Sequence, residues 1–314
     1  MAKTKIFIAA LALFLFGSSA FAQDSPYNFL RFLGSARSTA LAGCFVSMPE
    51  DPNAVFYNPA TIYTVDEKPF TATFMKHVLD INSGAVAYVR QFDEDGGKWA
   101  GSIGYVNYGS FDAANTFGEL TGTFGANDVA MQVSYSNELD TNLYWGATAK
   151  LIFVNIEDVN SFAAALDAGL LYRLPDGRSN VGLSILHAGA QLSKFSGVSE
   201  SLPIDIRLGI NHRLRGLPLL VNFSLHHLAD ETDDFFEKLR NFSIGGELYI
   251  GEYVMLRAGY DNQIRQFTSI ETDRKLAGFS FGTGVKLENF NIDYGLALMG
   301  ASANFHKFSV NMNL

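Results

Sequence analysis

The segment LPIDIRLGINHRLRGLPLLVNFSLHHL, residues 202–228, decides how the rest of the chain is interpreted. Over positions 204–211, apolar residues alternate with charged residues, glycine or asparagine. The alternation resumes over 219–226, after a turn that contains Gly216 and Pro218. Successive side chains of a strand point to opposite faces, so each half has one apolar face and one mostly polar face. Two such halves joined by a Gly/Pro turn predict a β-hairpin.

The hairpin pattern recurs from Phe70 to the end of the chain, as fourteen strand-like runs. They lie near 70–77, 82–92, 98–109, 126–137, 142–156, 161–173, 180–189, 202–213, 218–228, 240–250, 252–261, 275–287, 289–299 and 304–314. Even-to-odd connections are short, and most odd-to-even connections are longer. This alternation is typical of outer-membrane barrels, which have tight periplasmic turns and longer outer loops. The sequence therefore predicts an all-β fold, a 14-stranded antiparallel transmembrane β-barrel over residues 70–314 in a Gram-negative outer membrane.

The composition agrees with a barrel that contacts a lipid bilayer. The 314 residues carry a formal net charge of -9, and only 18% are charged, against roughly 25% in soluble proteins. The acidic balance and the lack of a basic run argue against nucleic acid as a partner. The alternative is a secreted soluble β-sandwich, whose solvated face would carry more lysine and glutamate. The polar faces here are instead rich in Gly, Ser and Asn, which suits a lumen into which another segment packs closely.

The N-terminus predicts a secretory signal peptide over residues 1–22. Lys3 and Lys5 precede an apolar stretch at 6–16, and Ala20-Phe21-Ala22 fits the small-x-small cleavage rule. Cys44 follows Leu-Ala-Gly, as in a lipoprotein processing box, but that box must directly follow the apolar stretch. Cys44 is therefore predicted to be a small packed residue.

Residues 23–69 lack clear strand alternation and are predicted to form a compact plug, or hatch, in the barrel lumen. Asn58-Pro59-Ala60 predicts a helix start within it, with Asn58 as N-cap and Pro59 at the first helical position.

No set of residues suggests catalysis, so we predict a non-enzymatic protein without cofactor or metal. Asp205 and Arg207 lie two apart on one strand face and are predicted to pair in the lumen, where a charge needs a partner. A structural role and a transport role both remain open for this pair. Arg257 and Asp261 suggest a second pair of the same kind.

His226-His227, followed by an acidic run, could suggest a metal site, but adjacent strand residues face opposite ways, so an exposed loop is favoured.

Two of the predicted outer loops carry aromatic residues among polar ones. The loop at 110–125 holds Phe111, Phe117 and Phe124, and the loop at 229–239 holds Phe235 and Phe236. Exposed aromatics within a polar rim are typical of protein-binding surfaces, so Phe235 and Phe236 are candidate partner-binding residues. Packing of the loops on each other is the alternative.

Short motifs resemble the PorV/PorQ family in their order and spacing. The N-terminal ones are Tyr27-Asn28-Phe29-Leu30, Ser35-Ala36-Arg37, Ala40-Leu41-Ala42-Gly43 and Asn58-Pro59-Ala60. The PorQ branch in particular is resembled by Asp80-Ile81-Asn82-Ser83-Gly84, Gly104-Tyr105-Val106-Asn107-Tyr108-Gly109-Ser110-Phe111, Leu202-Pro203-Ile204-Asp205-Ile206-Arg207-Leu208-Gly209 and Ser224-Leu225-His226-His227-Leu228. The resemblance covers nearly all of the predicted mature chain, with Ala42-Gly43 where Gly-Gly is expected.

The resemblance implies a barrel similar to FadL, the fatty-acid channel, with an N-terminal hatch that contains Asn-Pro-Ala. It also implies an accessory role in the type IX secretion system of Bacteroidetes, with other secretion or attachment components and secreted cargo as partners. Two function classes follow. The chain either assists secretion and surface attachment through protein–protein contacts, or it is a passive channel for long-chain fatty acids or other hydrophobic molecules.

Overall fold

The computed structural model describes residues 25–66, 69–77, 81–92, 96–194, 199–230, 232, 235–268, 276–300 and 304–313. These residues form fourteen antiparallel strands in one closed barrel, in which each strand pairs with its sequence neighbours and β1 pairs with β14. The strands are β1 Pro69–Lys76, β2 Asn82–Gln91, β3 Lys98–Ala114, β4 Leu120–Asp140, β5 Leu143–Ile156, β6 Val159–Arg173, β7 Ser179–Ser193, β8 Asp205–Arg213, β9 Leu219–Leu225, β10 Phe242–Ile250, β11 Val254–Asp261, β12 Phe279–Lys286, β13 Phe290–Leu298 and β14 Asn304–Asn313. The predicted fold class is confirmed.

The apolar face of each strand points outward, and the polar face points into the lumen. On β8, Asp205, Arg207 and Asn211 are buried, whereas Leu208 has 42% of its surface exposed. Exposed apolar side chains recur around the barrel, among them Phe74, Ile103, Leu151, Ile244, Phe281 and Phe308. An outward apolar band over a polar interior is the arrangement of a barrel that faces lipid.

The hairpin of β3 and β4 is longer than the sequence predicted, and most of the expected loop at 110–125 is strand. Asn107 pairs with Asn127, but the next pair is Ser110 with Gly125, so β3 holds one extra residue there. Gly109 lies in this β-bulge with φ +79°, a conformation that favours glycine. The bulge interrupts the two-residue alternation, so the pattern that predicts a strand over 98–109 does not continue into the outer part of the hairpin.

The inner segment, residues 25–66, lies inside the barrel. It is built from four short helices. Three are 3-10 helices, labelled η1 Asn28–Phe32, η2 Pro52–Phe56 and η3 Pro59–Thr64, and one is the α-helix α1 Ala36–Ala40. Helix α1 packs on β11 to β14, and η3 packs on β3 to β6. Among the described residues, no helix is both long and apolar enough to cross a membrane. The predicted signal peptide, 1–22, lies outside the described residues.

Lumen-facing glycines let the inner segment come close to the wall. A Cβ built at Gly146 of β5 would collide with the Pro59 carbonyl oxygen at 2.5 Å. A Cβ at Gly295 of β13 would collide with the Ala36 carbonyl group. These positions have no room for a side chain because backbone meets backbone there, which accounts for the glycine-rich polar faces of the sequence.

Candidate functional site

The Asn-Pro-Ala turn fastens the inner segment to the barrel wall. Asn58 caps η3, its Oδ1 accepting from the Ala60 N–H at 3.0 Å. The Asn58 side-chain amide donates to the carbonyl oxygens of Val46 (2.8 Å) and Leu170 on β6 (2.9 Å). One side chain therefore caps the helix, joins two parts of the inner segment and binds a strand. Whether this segment opens as a hatch stays a prediction.

A cluster of five charged groups joins the inner segment to the part of the barrel wall formed by β10, β11 and β13. This Arg37 cluster consists of Arg37, Asp51, Glu247, Arg257 and Asp293. Arg37 donates to Asp51 at 2.9 Å and to Glu247 at 2.5 Å. Arg257 donates to Glu247 at 2.7 Å and to Asp293 at 2.6 Å. Two cations and three carboxylates thus satisfy one another inside the barrel.

The predicted pairing of Arg257 with Asp261 is wrong. Four residues along a strand span about 13 Å, too far for an ion pair between these two side chains. Arg257 pairs instead with residues of β10 and β13, while Asp261 accepts from the N–H groups of Gln263 and Ile264 at the start of the helix Asn262–Phe267. Sequence reasoning missed Glu247 and Asp293, although their inward positions in the strand alternation were available as a signal.

Asp205 and Arg207 lie together in the lumen, as a buried ion pair with a distance of 2.7 Å. The second oxygen of Asp205 accepts from the His227 backbone N–H at 2.6 Å. The Arg207 guanidinium also stands 5.2 Å from the ring centre of Tyr57 in the inner segment. These contacts join β8 to His227 and to the inner segment. The choice between a structural role and a transport role for the pair stays a prediction.

The two adjacent histidines do not face opposite ways. Strand β9 ends at Leu225, and His227 has a φ of +55°, so strand alternation no longer applies to them. His226 Nε2 lies 3.3 Å from Asp261, and His227 Nε2 lies 3.6 Å from Asp205. Burial lowers the pKa of His227 to about 3, so its ring is neutral at physiological pH. In the described part of the chain, no group of three or more His, Cys, Asp or Glu residues is placed to hold a metal ion.

A cavity of about 320 Å³ opens at the outer end of the lumen, between the start of the inner segment and the wall. This outer cavity is lined by Pro26, Tyr108, Phe111, Phe124, Ala126, Asp128, Val154 and Ile156. The rings of Phe111 and Phe124 stack with 5.4 Å between their centres. Because the β-bulge adds one residue to β3, it changes which face the following side chains take and brings Phe111 to the same side as Tyr108.

The outer cavity has one polar corner. The Tyr108 hydroxyl donates to Asp128 Oδ2 at 2.6 Å. Asp128 is only 1% exposed, and its Oδ1 has no hydrogen-bond partner. Four positions further along β4, Gln132 pairs in register with Ser102 of β3. The side-chain polar atoms of these two residues also lack hydrogen-bond partners in the protein. Buried polar groups without a protein partner are uncommon, and a bound water or ligand is one way in which they are satisfied.

Comparisons with known proteins place the fold. No protein-family model and no curated protein matches the sequence. The toluene transporter TodX of Pseudomonas putida superposes with a TM-score of 0.60 at 13% identity, over 89% of this chain and 98% of that chain. A CymD monoaromatic hydrocarbon channel gives 0.56 at 12%, over 90% and 97%. A Pseudomonas aeruginosa FadL homologue gives 0.53 at 12%, over 89% and 98%.

The fold is that of a FadL-like outer-membrane barrel. Identities this low establish the architecture alone, which supports an outer-membrane location. The named structures include a toluene transporter and a monoaromatic hydrocarbon channel. That this chain is not an enzyme stays a prediction. They concern the FadL-like fold and give no evidence for a type IX secretion role.

The FadL-like barrel carries exposed aromatic residues at its outer end. Phe236 lies in α2, Phe235–Lys238, and is 70% exposed. The side chain of Phe235 lies outside the described residues. Phe117, in the short loop between β3 and β4, is 89% exposed. The aromatic residues predicted at the outer end are thus divided between the outer cavity and the surface.

Proposed function

We propose that this chain is a passive channel for hydrophobic molecules across the outer membrane. The outer cavity carries the proposal, because six of its eight lining side chains are apolar and it lies where the lumen meets the outside. Ligand sites of proteins are typically concave and mostly apolar, with a few polar groups. The likeness in fold to a toluene transporter and a monoaromatic hydrocarbon channel supports the same function.

The inner segment is the gate of this proposed channel. It fills the lumen, and its contacts differ from one side to the other. On the β10–β13 side it is held by the Arg37 cluster, whereas at Gly104 of β3 it meets the wall through the apolar side chain of Leu33. Separating the ion pairs of the Arg37 cluster would leave buried charges without partners, whereas withdrawing Leu33 would leave none. Passage is therefore proposed between the inner segment and β3–β4 beside Leu33. The polar contacts on this side are the bond from Ser136 to the Ala60 carbonyl oxygen and those of Lys98 with Val65 and Asp66. The signal peptide at 1–22 directs export to the outer membrane in this proposal.

Replacing Phe124 by Asp is expected to reduce uptake of a monoaromatic hydrocarbon about tenfold or more, because full burial of a Phe side chain contributes about 1.5–3 kcal/mol. Radiolabelled toluene uptake would be measured in an outer-membrane host that lacks its own FadL-like channels. Phe117→Asp is the matched control, since Phe117 lies on the same hairpin but does not line the outer cavity. Equal uptake by the wild type, both variants and the empty host would contradict a channel function.

An accessory role in type IX secretion is the second candidate. The exposed Phe236 forms an apolar point on the outer end that a protein partner could cover. Other secretion or attachment components and secreted cargo are the proposed partners in that case.

Changing Phe235 and Phe236 together to Ser is expected to leave the barrel folded in the membrane while copurification of a secretion component is lost. The physical reason is that exposed aromatic residues contribute strongly to protein interfaces. Affinity purification from native outer membranes would measure the loss, with Phe117→Ser as a control on a different loop. Normal copurification and normal surface attachment of cargo in the double variant would exclude this role for the two residues.

A further inference from the structure

The polar corner of the outer cavity offers a hydrogen-bond acceptor and lacks a cation. The Tyr108 hydroxyl donates a hydrogen bond to Oδ2 of Asp128, whereas Oδ1 accepts no hydrogen bond from the protein. Among the described residues, no lysine, arginine or histidine forms an ion pair with Asp128. Leaving a buried acceptor unsatisfied costs free energy, and the cost is larger for a charged group. A bound molecule that supplied a donor at this corner would recover that free energy.

The remainder of the cavity sets the size and character of such a molecule. Phe111, Phe124 and Val154 provide apolar surface above the polar corner. A volume of about 320 Å³ lies at the lower end of the range for small-molecule sites. It suits a body of one aromatic ring or a medium-length alkyl chain, with a single polar group directed at Asp128.

We infer that the outer cavity selects small apolar molecules that carry one hydrogen-bond donor, such as an aryl or alkyl alcohol or amine, and disfavours carboxylates. A carboxylate placed at the corner would oppose Asp128 in a site of low dielectric, where like charges repel strongly. The selectivity rests on the channel function proposed above and narrows its substrates. It disfavours fatty-acid anions, the substrates first expected for a passive channel.

The test compares three probes that share one aromatic ring: benzyl alcohol, benzylamine and benzoate. Binding to the full chain in lipid nanodiscs would be measured by saturation-transfer NMR, with empty nanodiscs subtracted. The alcohol and the amine are expected to bind about 10- to 100-fold more tightly than benzoate, as one hydrogen bond to a charged group implies. In Asp128→Asn the preference for the amine over benzoate should fall at least tenfold. Asp112→Asn removes the same charge from an exposed site on the same hairpin and should change nothing.

Benzoate binding as tightly as benzyl alcohol to the wild type would overturn the inference, as would an Asp128→Asn variant that keeps the full preference. If Asp128→Asn does not fold, the wild-type series decides alone. The two proposals fail separately. Toluene uptake through the wild type together with equal binding of all three probes would support the channel function and contradict the proposed selectivity. Selective binding of the alcohol and the amine without any toluene uptake would contradict the channel function.

Discussion

Replacing Arg257 by Ala is expected to lower the free energy of unfolding by about 3–5 kcal/mol, the cost of breaking a buried ion pair by removing one partner. Arg257 bonds both Glu247 and Asp293, which are buried with it. Without the guanidinium, Asp293 keeps only the Asn311 amide at 3.2 Å, while Asp51 and Glu247 share Arg37, so one buried carboxylate has no cation. Urea unfolding of the barrel in lipid vesicles, followed by heat-modifiable gel migration, would measure the change.

Arg215→Ala is the matched control for Arg257→Ala. Arg215 lies exposed in the turn between β8 and β9, where loss of one charge should cost no more than about 0.5 kcal/mol. A second measurement distinguishes the stability of the barrel wall from the attachment of the inner segment. In Arg37→Ala the inner segment should become more sensitive to protease, since Arg37 is the residue through which it binds Glu247. Equal unfolding free energies for Arg257→Ala and Arg215→Ala would show that the cluster contributes nothing to stability.

Placing Arg at Leu208 is expected to destabilise the barrel by about 2–4 kcal/mol if the position lies near the bilayer midplane. Leu208 points outward from the middle of β8, between the inward-facing Arg207 and Gly209. The cost arises because the guanidinium must leave water for hydrocarbon. It would be measured as the unfolding free energy in vesicles.

Leu217→Arg is the control for membrane depth, because Leu217 is exposed in the turn that follows β8 and an interfacial position should cost only about 0–1 kcal/mol. Cysteines at 208 and 211 give an independent check with a water-soluble thiol reagent. Position 208 should be shielded by lipid. Position 211, where the Asn211 side chain donates to the Ser47 carbonyl oxygen, should be shielded by the inner segment, so detergent should expose 208 alone. An equal cost for both Arg variants would argue against lipid on the outward face.

The sequence alone was sufficient for the architecture. Alternation with a period of two follows from strand geometry and is local, so runs such as 204–211 could be recognised without knowledge of their partners. The count of fourteen strands and the even-to-odd turns followed from the same property. Asn58 could be predicted as an N-cap because capping involves only the next few residues. What interrupted the alternation was missed, as at the β-bulge around Gly109.

The tertiary structure decided which groups meet. Arg257 finds its carboxylates on β10 and β13 rather than on its own strand, and Arg37 meets Glu247 across 210 positions of sequence. The outer cavity likewise joins Pro26, Phe111 and Val154, which are far apart along the chain. Such contacts exist only once the barrel has closed around the inner segment, because closure fixes which inward side chains face each other. Periodicity specifies the face on which a residue lies, while the partner across the lumen is set by the closed shape.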